Sequence, residues 1–124
     1  MHVSEIDYIN AHGTATEIND VVESRAIKRL FAAHASRLAV SSTKPVSGHL
    51  LAAAGAIETV VCVLALVHKQ IPMTLNFKQP ADGCDLDYVP GKSRPYPVRA
   101  AMNINSGFGG KNSCLILKEY HSPE

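Results

Sequence analysis

Polar side chains that could do chemistry fall in three short loops of the sequence. These loops are His12–Thr16 (HGTAT), Lys44–His49 (KPVSGH) and Ser106–Gly110 (SGFGG). The first two follow runs of β-forming residues, and ligands of open α/β sheets bind beyond the carboxyl ends of the strands. The spacing therefore predicts that the loops meet in one shared site.

Two of the six histidines lie in these loops. His49 is predicted at the N-terminus of a helix, where the helix dipole disfavours a positive charge and keeps the imidazole neutral. A neutral imidazole can donate a hydrogen bond to a developing oxyanion, and His12 can do the same from the opposite loop. Taken singly, each histidine also fits a purely structural position. The other histidines are assigned no role: His2, His34, His68 and His121.

Lys44 and Glu58 are a second candidate unit. Glu58 interrupts a long apolar segment, and a carboxylate inside such a segment must be neutralised or paired. Lys44 is the lysine of a nearby polar loop, which makes it the expected partner. Nine residues at 100° each set Glu58 about half a turn from His49 on a regular helix, so spacing does not bring both into one pocket. A structural and a catalytic ion pair remain equally open.

The SGFGG loop separates two predicted strands. A phosphate-binding GxxxxGK[ST] loop is excluded, because Asn105 and Asn112 stand where that motif needs glycine and Ser or Thr. The backbone N–H of Phe108 could face a carbonyl oxygen that becomes charged during acyl transfer, and a tight turn without a function is the alternative. The sequence contains no GxSxG, HExxH or EF-hand pattern, so we predict no metal site.

The elements that carry these loops alternate between strands and helices. Val3–Asn10 predicts one strand, and Leu38–Ser42 predicts a second that ends near Lys44, before a proline. Between them, Asn19 or Asp20 can cap an amphipathic helix. Helical spacing predicts the core face of that helix: Val22, Ala26, Ile27, Leu30, Phe31 and Ala35.

A long apolar helix is predicted after Ser47 and Gly48, and it runs to about Lys69. Its apolar stretch is 18 residues long, the lower limit for a membrane span. A central carboxylate and the lack of an aromatic belt favour instead a central helix that is buried on all sides, with no membrane span. The proline-rich residues 72–97 predict ordered loop, and Val98–Asn105 with Ser113–Tyr120 predict a C-terminal β-hairpin. The predicted class is α/β.

Composition narrows the function further. The 124 residues suit one domain, and 12 Lys and Arg against 11 Asp and Glu give a net charge of +1, which argues against nucleic acid as a partner. Cys62, Cys84 and Cys114 form no CxxC pair and are odd in number, so neither a disulfide framework nor a zinc site is expected. The first residues predict no secretory signal, and the expected location is the cytoplasm.

Taken together, four segments resemble the C-terminal portion of the β-ketoacyl-acyl carrier protein synthases. They are YINAHGTATEINDVVESRAI, VSSTKPVSGHLLAAAGAIETV, CDLDYVP and NSGFGGKNSCLIL, in the order that this family uses. The elongating fatty-acid and type II polyketide condensing enzymes with a Cys-His-His site are the most similar. The resemblance covers Val3 to Tyr120. It implies that residues 1–124 form the C-terminal half of a thiolase-like fold, with a mixed sheet and packed helices.

The resemblance also implies catalytic roles. His12 and His49 would be the two histidines that bind the malonyl thioester carbonyl and assist decarboxylation. Lys44 and Glu58 would support them electrostatically, and the Phe108 amide would form part of the oxyanion hole while its ring gates the acyl pocket. The implied reaction is a decarboxylative Claisen condensation.

Substrate contacts are implied in the same way. Thr14 and Thr16 would bind the phosphopantetheine arm, which arrives on the acyl carrier protein, so no resident cofactor is expected. Ser106, Gly107 and Gly109 would contact substrate, and Ser106 replaces an aromatic residue common in the fatty-acid members, which implies a differently shaped acyl pocket.

The largest departure from the family is a missing residue. The nucleophilic cysteine of these synthases lies in their N-terminal half, so we expect this chain to be inactive in condensation without that half. Expected partners are the acyl carrier protein, the N-terminal half and, for the complete enzyme, a second copy. The alternative is a non-catalytic protein, similar to a chain-length factor or a pseudo-synthase, that binds the carrier protein or a complete synthase.

Overall fold

The computed structural model describes residues 1–120, and His121 lies outside the described residues. The strands are β1 (Tyr8–Asn10), β2 (Ala39–Ser41), β3 (Gln70–Ile71), β4 (Arg94–Pro95), β5 (Ala100–Ser106) and β6 (Asn112–Lys118). The α-helices are α1 (Asn19–Phe31), α2 (Lys44–Ser47) and α3 (Ala54–His68). Short 3-10 turns cover Val3–Glu5, Ala32–Arg37, Leu51–Ala53 and Phe108–Gly110.

A four-stranded mixed sheet forms the centre, in the order β2-β1-β5-β6. β1 pairs in parallel with both β2 and β5, and β5 pairs antiparallel with β6 over seven residue pairs. The predicted mixed sheet and C-terminal hairpin are therefore confirmed. β3 and β4 form a separate two-residue ladder at the ends of the proline-rich stretch, which is otherwise loop as predicted.

Side chains alternate across the sheet, and each face is covered by helix. Ile9, Val40 and Met102 point to one side and share a core cluster with Ile27 and Phe31 of α1. Their sequence neighbours in the strands, including Tyr8 and Ala101, point to the other side and pack with Cys62 and Ala65 of α3. The period-two pattern of the strands thus produces a three-layer α/β/α arrangement.

The two N-terminal strands are shorter than predicted. Residues 3–5 form a 3-10 turn instead of strand, because the His2 imidazole and the Glu5 carboxylate cap each other's backbone amides. β2 ends at Ser41 and does not reach Lys44, which instead opens α2. Proline is tolerated in the first turn of a helix, so Pro45 does not extend the strand.

The predicted core face of α1 was partly wrong. Ile27 and Phe31 are buried, but Val22, Ala26 and Leu30 are exposed. The buried face instead passes through Ser24, whose hydroxyl bonds the Tyr88 hydroxyl at 2.7 Å. Ser24 is buried because its hydroxyl is hydrogen-bonded to Tyr88, although apolar periodicity predicted that other residues of the helix would face the core.

The prediction of a continuous central helix buried on all sides was also wrong. Gly48 has φ +76°, and the chain breaks there before it resumes as a 3-10 turn at Leu51 and as α3 at Ala54. Only one face of α3 is buried, and the opposite face is bare: Ile57, Val60, Val63, Leu64 and Val67.

One helical stretch within residues 1–120, Leu51–His68, is long and apolar enough to cross a membrane by length and composition alone. Core helices of soluble proteins pass the same test. Here the buried face of α3 packs on the sheet and carries the carboxylate of Glu58, which is expensive to place in lipid.

Candidate functional site

The carboxyl ends of the parallel strands bring two of the predicted loops together. His12 follows β1 by two residues, and Lys44 follows β2 by three. The α2 segment then returns the chain so that the ring centroids of His12 and His49 are 5.5 Å apart, at an interplanar angle of 84°. The edge-on contact of two imidazoles from separate loops is the centre of the candidate site.

The backbone fixes the tautomer of His49. The Leu51 N–H donates a hydrogen bond to Nδ1 of His49 at 3.3 Å, so Nδ1 is an acceptor and the proton of the neutral ring lies on Nε2. His49 precedes the 3-10 turn by two residues and does not open a long helix, which corrects the sequence expectation. The local amide, rather than a long-helix dipole, therefore orients the ring and leaves Nε2–H free to donate.

His12 lies deeper, with 7% of its surface exposed. Burial lowers the pKa of its imidazole below the ordinary value, and the neighbouring Lys44 and His49 lower it further, whereas Glu58 and Asn105 oppose the shift. Its Nδ1 has no hydrogen-bond partner among the described residues. At neutral pH the site therefore presents a neutral His12 imidazole beside the Nε2–H of His49, an arrangement that suits the stabilisation of a developing anion.

Lys44 and Glu58 form a buried ion pair beneath the histidines. Lys44 Nζ lies 2.5 Å from Glu58 Oε1, and the two residues are 6% and 0% exposed. The predicted pairing is thus present, made by the α2 turn and by α3. Glu58 Oε2 and Asn10 Oδ1 are buried without a partner among the described residues. The pair is therefore buried with two polar oxygens beside it that lack a partner among the described residues, so its charges are incompletely compensated.

Glu23 is a functional residue that the sequence reasoning missed. Its carboxylate accepts hydrogen bonds from the amides of His12 and Gly13, at 2.7 and 2.9 Å, and from Asn19 Nδ2. Burial raises the pKa of this carboxyl above its ordinary value, although the two amides oppose the shift. Helical periodicity leaves Glu23 off the predicted core face of α1, and its position in the helix that follows the HGTAT loop was the available signal.

Thr14 and Thr16 line a cleft of about 790 Å³ between their loop and residues 74–84. Their hydroxyl oxygens are 3.3 Å apart; Thr14 is half-buried and Thr16 is exposed. Lys44 and His49 border the same cleft. An extended polar chain that enters beside the threonines would therefore reach the histidine pair.

The glycine-rich hairpin borders a second, smaller cavity. This space of about 280 Å³ is lined by His12, His49, Ser106 and Gly107, among others. Phe108 and Gly109 lie outside that lining, and the Phe108 ring is 92% exposed at the tip of the hairpin. The structure thus joins Ser106 and Gly107 to the histidines and leaves the predicted gate residue apart from them.

The three cysteines are free thiols, and Cys62 and Cys84 are buried. Cys62 is fully buried in α3, and burial raises the pKa of its thiol to about 12. Burial also raises the pKa of Cys114 on β6. A catalytic thiol needs a lowered pKa or an adjacent base. Within residues 1–120 the structure shows no group of three or more His, Cys, Asp or Glu that could hold a metal ion.

Comparison with solved structures identifies the fold. A complex described as a type II polyketide acyl-carrier protein with its ketosynthase bound to the hexaketide superposes with a TM-score of 0.94 at 37% identity, over 98% of this chain and 30% of that one. A β-ketoacyl synthase from Burkholderia phymatum STM815 gives 0.90 at 35% identity, over 98% and 29%. The fold is thiolase-like.

Comparison of sequences identifies the family. Residues 1–78 match the model of the β-ketoacyl synthase C-terminal domain. 3-Oxoacyl-[acyl-carrier-protein] synthase 2 of Coxiella burnetii is 52% identical over 90% of this chain, and the actinorhodin polyketide putative β-ketoacyl synthase 1 of Streptomyces coelicolor is 46% identical over 94%. The chain belongs to the β-ketoacyl synthase family and carries its C-terminal domain. It spans 27% and 25% of the lengths of these two relatives.

Proposed function

We propose that this chain is the histidine-bearing part of a synthase that condenses malonyl-carrier protein with an acyl thioester by decarboxylative Claisen chemistry. One observation carries the proposal: the imidazoles of His12 and His49 meet at 5.5 Å above the buried Lys44–Glu58 pair. Such a site stabilises an enolate without a metal. Fatty acid and polyketide synthesis are both open, because relatives of both kinds are similar to the chain.

The first chemical step is the loss of CO2 from the malonyl thioester. The electron pair of the breaking carbon–carbon bond moves into the thioester, whose oxygen becomes negatively charged. His49 donates from Nε2–H to that oxygen, because its Nδ1 is occupied by the Leu51 amide. His12 is neutral at pH 7, since its pKa is lowered by burial, and donates to the same oxygen. The two donors stabilise the enolate through hydrogen bonds without protonating it.

In the second step the enolate carbon attacks the carbonyl of an acyl group held on a cysteine of the N-terminal half. A carbon–carbon bond forms, the carbon–sulfur bond breaks, and the cysteine leaves as a thiolate. The thiols of this chain do not suit that role, because Cys62 and Cys84 are buried and the pKa values of Cys62 and Cys114 are raised. We therefore expect the chain to be inactive in condensation unless the N-terminal half is present.

The substrate arm is assigned to the large cleft. Phosphopantetheine, carried by the acyl carrier protein, would run past Thr14 and Thr16 and deliver its thioester to the histidines, so no resident cofactor is required. Ser106, Gly107 and Gly109 would border the acyl group on the hairpin side. Phe108 would complete the oxyanion hole and gate the pocket once the hairpin tip, now bare, packs on the other half.

The N-terminal half is also the proposed cover of the bare face of α3. Contiguous apolar surface of this kind marks an interaction site, and the relatives have about three times the length of this chain. The complete enzyme would be a cytoplasmic homodimer, with residues 1–124 as one C-terminal domain. Nucleic acid is not among the proposed partners, given the net charge of +1.

Decarboxylation of malonyl-acyl carrier protein tests the proposal. The 124-residue chain is assayed with and without a separately expressed N-terminal half from a related synthase, and CO2 release is measured. Activity is expected only for the combination and is expected to be lost in His49→Ala. His68→Ala is the matched control, since His68 is exposed at the end of α3. Carrier-protein binding without decarboxylation in any combination would instead indicate the non-catalytic partner.

A further inference from the structure

The loops that carry His12 and Lys44 meet at one small side chain. Ser42 is 6% exposed and follows β2, between the two loops. Its hydroxyl donates a hydrogen bond to the Gly13 carbonyl at 2.8 Å and accepts one from the Lys44 amide at 3.4 Å. A single hydroxyl therefore ties the residue after His12 to the backbone of Lys44.

The contact between the two loops is close enough to exclude other residues. A Cβ on Gly13 would lie 2.4 Å from Ser42 Cβ, and Gly13 has φ +42°, a conformation that L residues other than glycine rarely adopt. Glu23 holds the amide of the same Gly13 from the opposite side. The peptide groups of Gly13 are thus clamped between α1 and β2.

Ser42 is itself held in place by a further loop. Its amide donates to Thr74 Oγ1 at 3.3 Å, and the Thr74 hydroxyl donates to the Tyr88 carbonyl at 2.7 Å. The clamp is therefore anchored outside the site. Because the Ser42 hydroxyl bonds to both, it fixes the Gly13 backbone relative to the Lys44 backbone. The proposed chemistry needs the His12 loop and the Lys44 loop in this relative position.

We propose that Ser42 is a positioning residue, which sets the place of the His12 imidazole relative to Lys44 by bridging the Gly13 carbonyl and the Lys44 amide. This inference rests on the proposed function for the importance of His12, but the position of the imidazole can be read without turnover. His12 is faced by Lys44, His49, Glu58 and Asn105, and burial is the largest influence on its pKa. Any movement of the loop changes that environment.

The test compares two neighbouring serines of the same strand region by NMR of the histidine rings in the full 124-residue chain. Ser42→Ala removes the bridging hydroxyl. Ser41→Ala is the matched control, because Ser41 is equally buried but its hydroxyl bonds Tyr8 at 2.9 Å instead. Both changes remove one buried hydroxyl, so a general loss of stability affects both alike.

In Ser42→Ala we expect the pKa of His12 to rise toward its ordinary value as the loop loosens and water enters. Ser41→Ala is expected to leave it unchanged. Equal values in wild type and Ser42→Ala would overturn the proposal. If Ser42→Ala does not fold, Ser42→Cys keeps the volume with a weaker donor, and a wild-type pKa there would also overturn it.

Decarboxylation by the chain combined with an N-terminal half separates the two proposals. If the pKa of His12 rises in Ser42→Ala as expected but the wild-type chain combined with the N-terminal half shows no decarboxylation, the proposed function is refuted and the positioning role stands. Intact decarboxylation in Ser42→Ala, with His12 unmoved, would refute the positioning role alone. If both proposals hold, kcat falls in Ser42→Ala while KM stays near the wild-type value, since the hydroxyl does not touch substrate.

Discussion

The Lys44–Glu58 pair allows the most quantitative prediction. Removing one partner leaves an unpaired charge in a site with almost no solvent exposure, which typically costs 3–5 kcal/mol, or about half the stability of an ordinary domain. Glu58 would be worse placed than usual, because its second oxygen already has no partner among the described residues. We therefore expect Lys44→Met to lower the free energy of unfolding by about 3–5 kcal/mol.

The double variant Lys44→Met/Glu58→Leu removes both charges and is expected to recover most of that loss, because apolar pairs of similar volume commonly replace buried ion pairs without penalty. Urea denaturation followed by circular dichroism measures the free energy of unfolding of the four proteins in this double-mutant cycle: wild type, Lys44→Met, Glu58→Leu and the double variant. Lys28→Met is the control, since Lys28 pairs with an exposed Asp85, and its midpoint should not move. Strictly additive effects of the two single changes would refute the reasoning, as would a Lys44→Met cost below about 1 kcal/mol. Where Lys44→Met does not fold at all, a folded double variant gives the same answer.

Three further outcomes are expected. Because the folded pKa of His12 is depressed, protonation favours the unfolded chain, so stability falls as pH drops below about 6.5 and His12→Gln flattens that dependence in urea titrations at several pH values. The NMR chemical shifts of the His12 and Gly13 amide protons should follow the ionisation of the Glu23 carboxyl, with a midpoint above the ordinary pKa of 4.5. Glu23→Gln should abolish this pH dependence, and a midpoint at or below 4.5 would contradict the assignment. The double variant Val60→Lys/Val67→Lys places two charges on the exposed apolar face of α3 and should reduce self-association of the isolated chain, measured by analytical ultracentrifugation. Unchanged self-association would show that another surface mediates it.

Local pattern was sufficient for much of the fold. Alternating apolar residues, a proline-rich loop and a glycine hairpin predicted the α/β class and the β5–β6 hairpin, because these signals come from residues close together in the chain. Boundaries were less accurate, since the exchange of caps between His2 and Glu5 and the entry of Lys44 into α2 depend on short-range geometry that residue type does not fix.

For the candidate site as well, residue types predicted some features and the structure was needed for the others. The residue types at His12, Lys44, His49 and Glu58 were enough to select them, because buried charge and loop histidines are costly without a reason. The structure added that Lys44 reaches Glu58, although regular helical spacing set Glu58 half a turn from His49. The break at Gly48 removes that constraint, since the chain no longer follows one helix from the loop to the carboxylate.

The sequence by itself determined the family, the class of fold and the chemical groups of the site. Only the tertiary structure decided that Glu23 and Ser42 hold the Gly13 peptide from two sides, and that one face of α3 is bare. The physical reason is that these contacts join residues ten or more positions apart through backbone amides and carbonyls. Nearly every residue carries a backbone amide and a carbonyl, so residue types do not predict which of these groups will accept or donate a tertiary hydrogen bond.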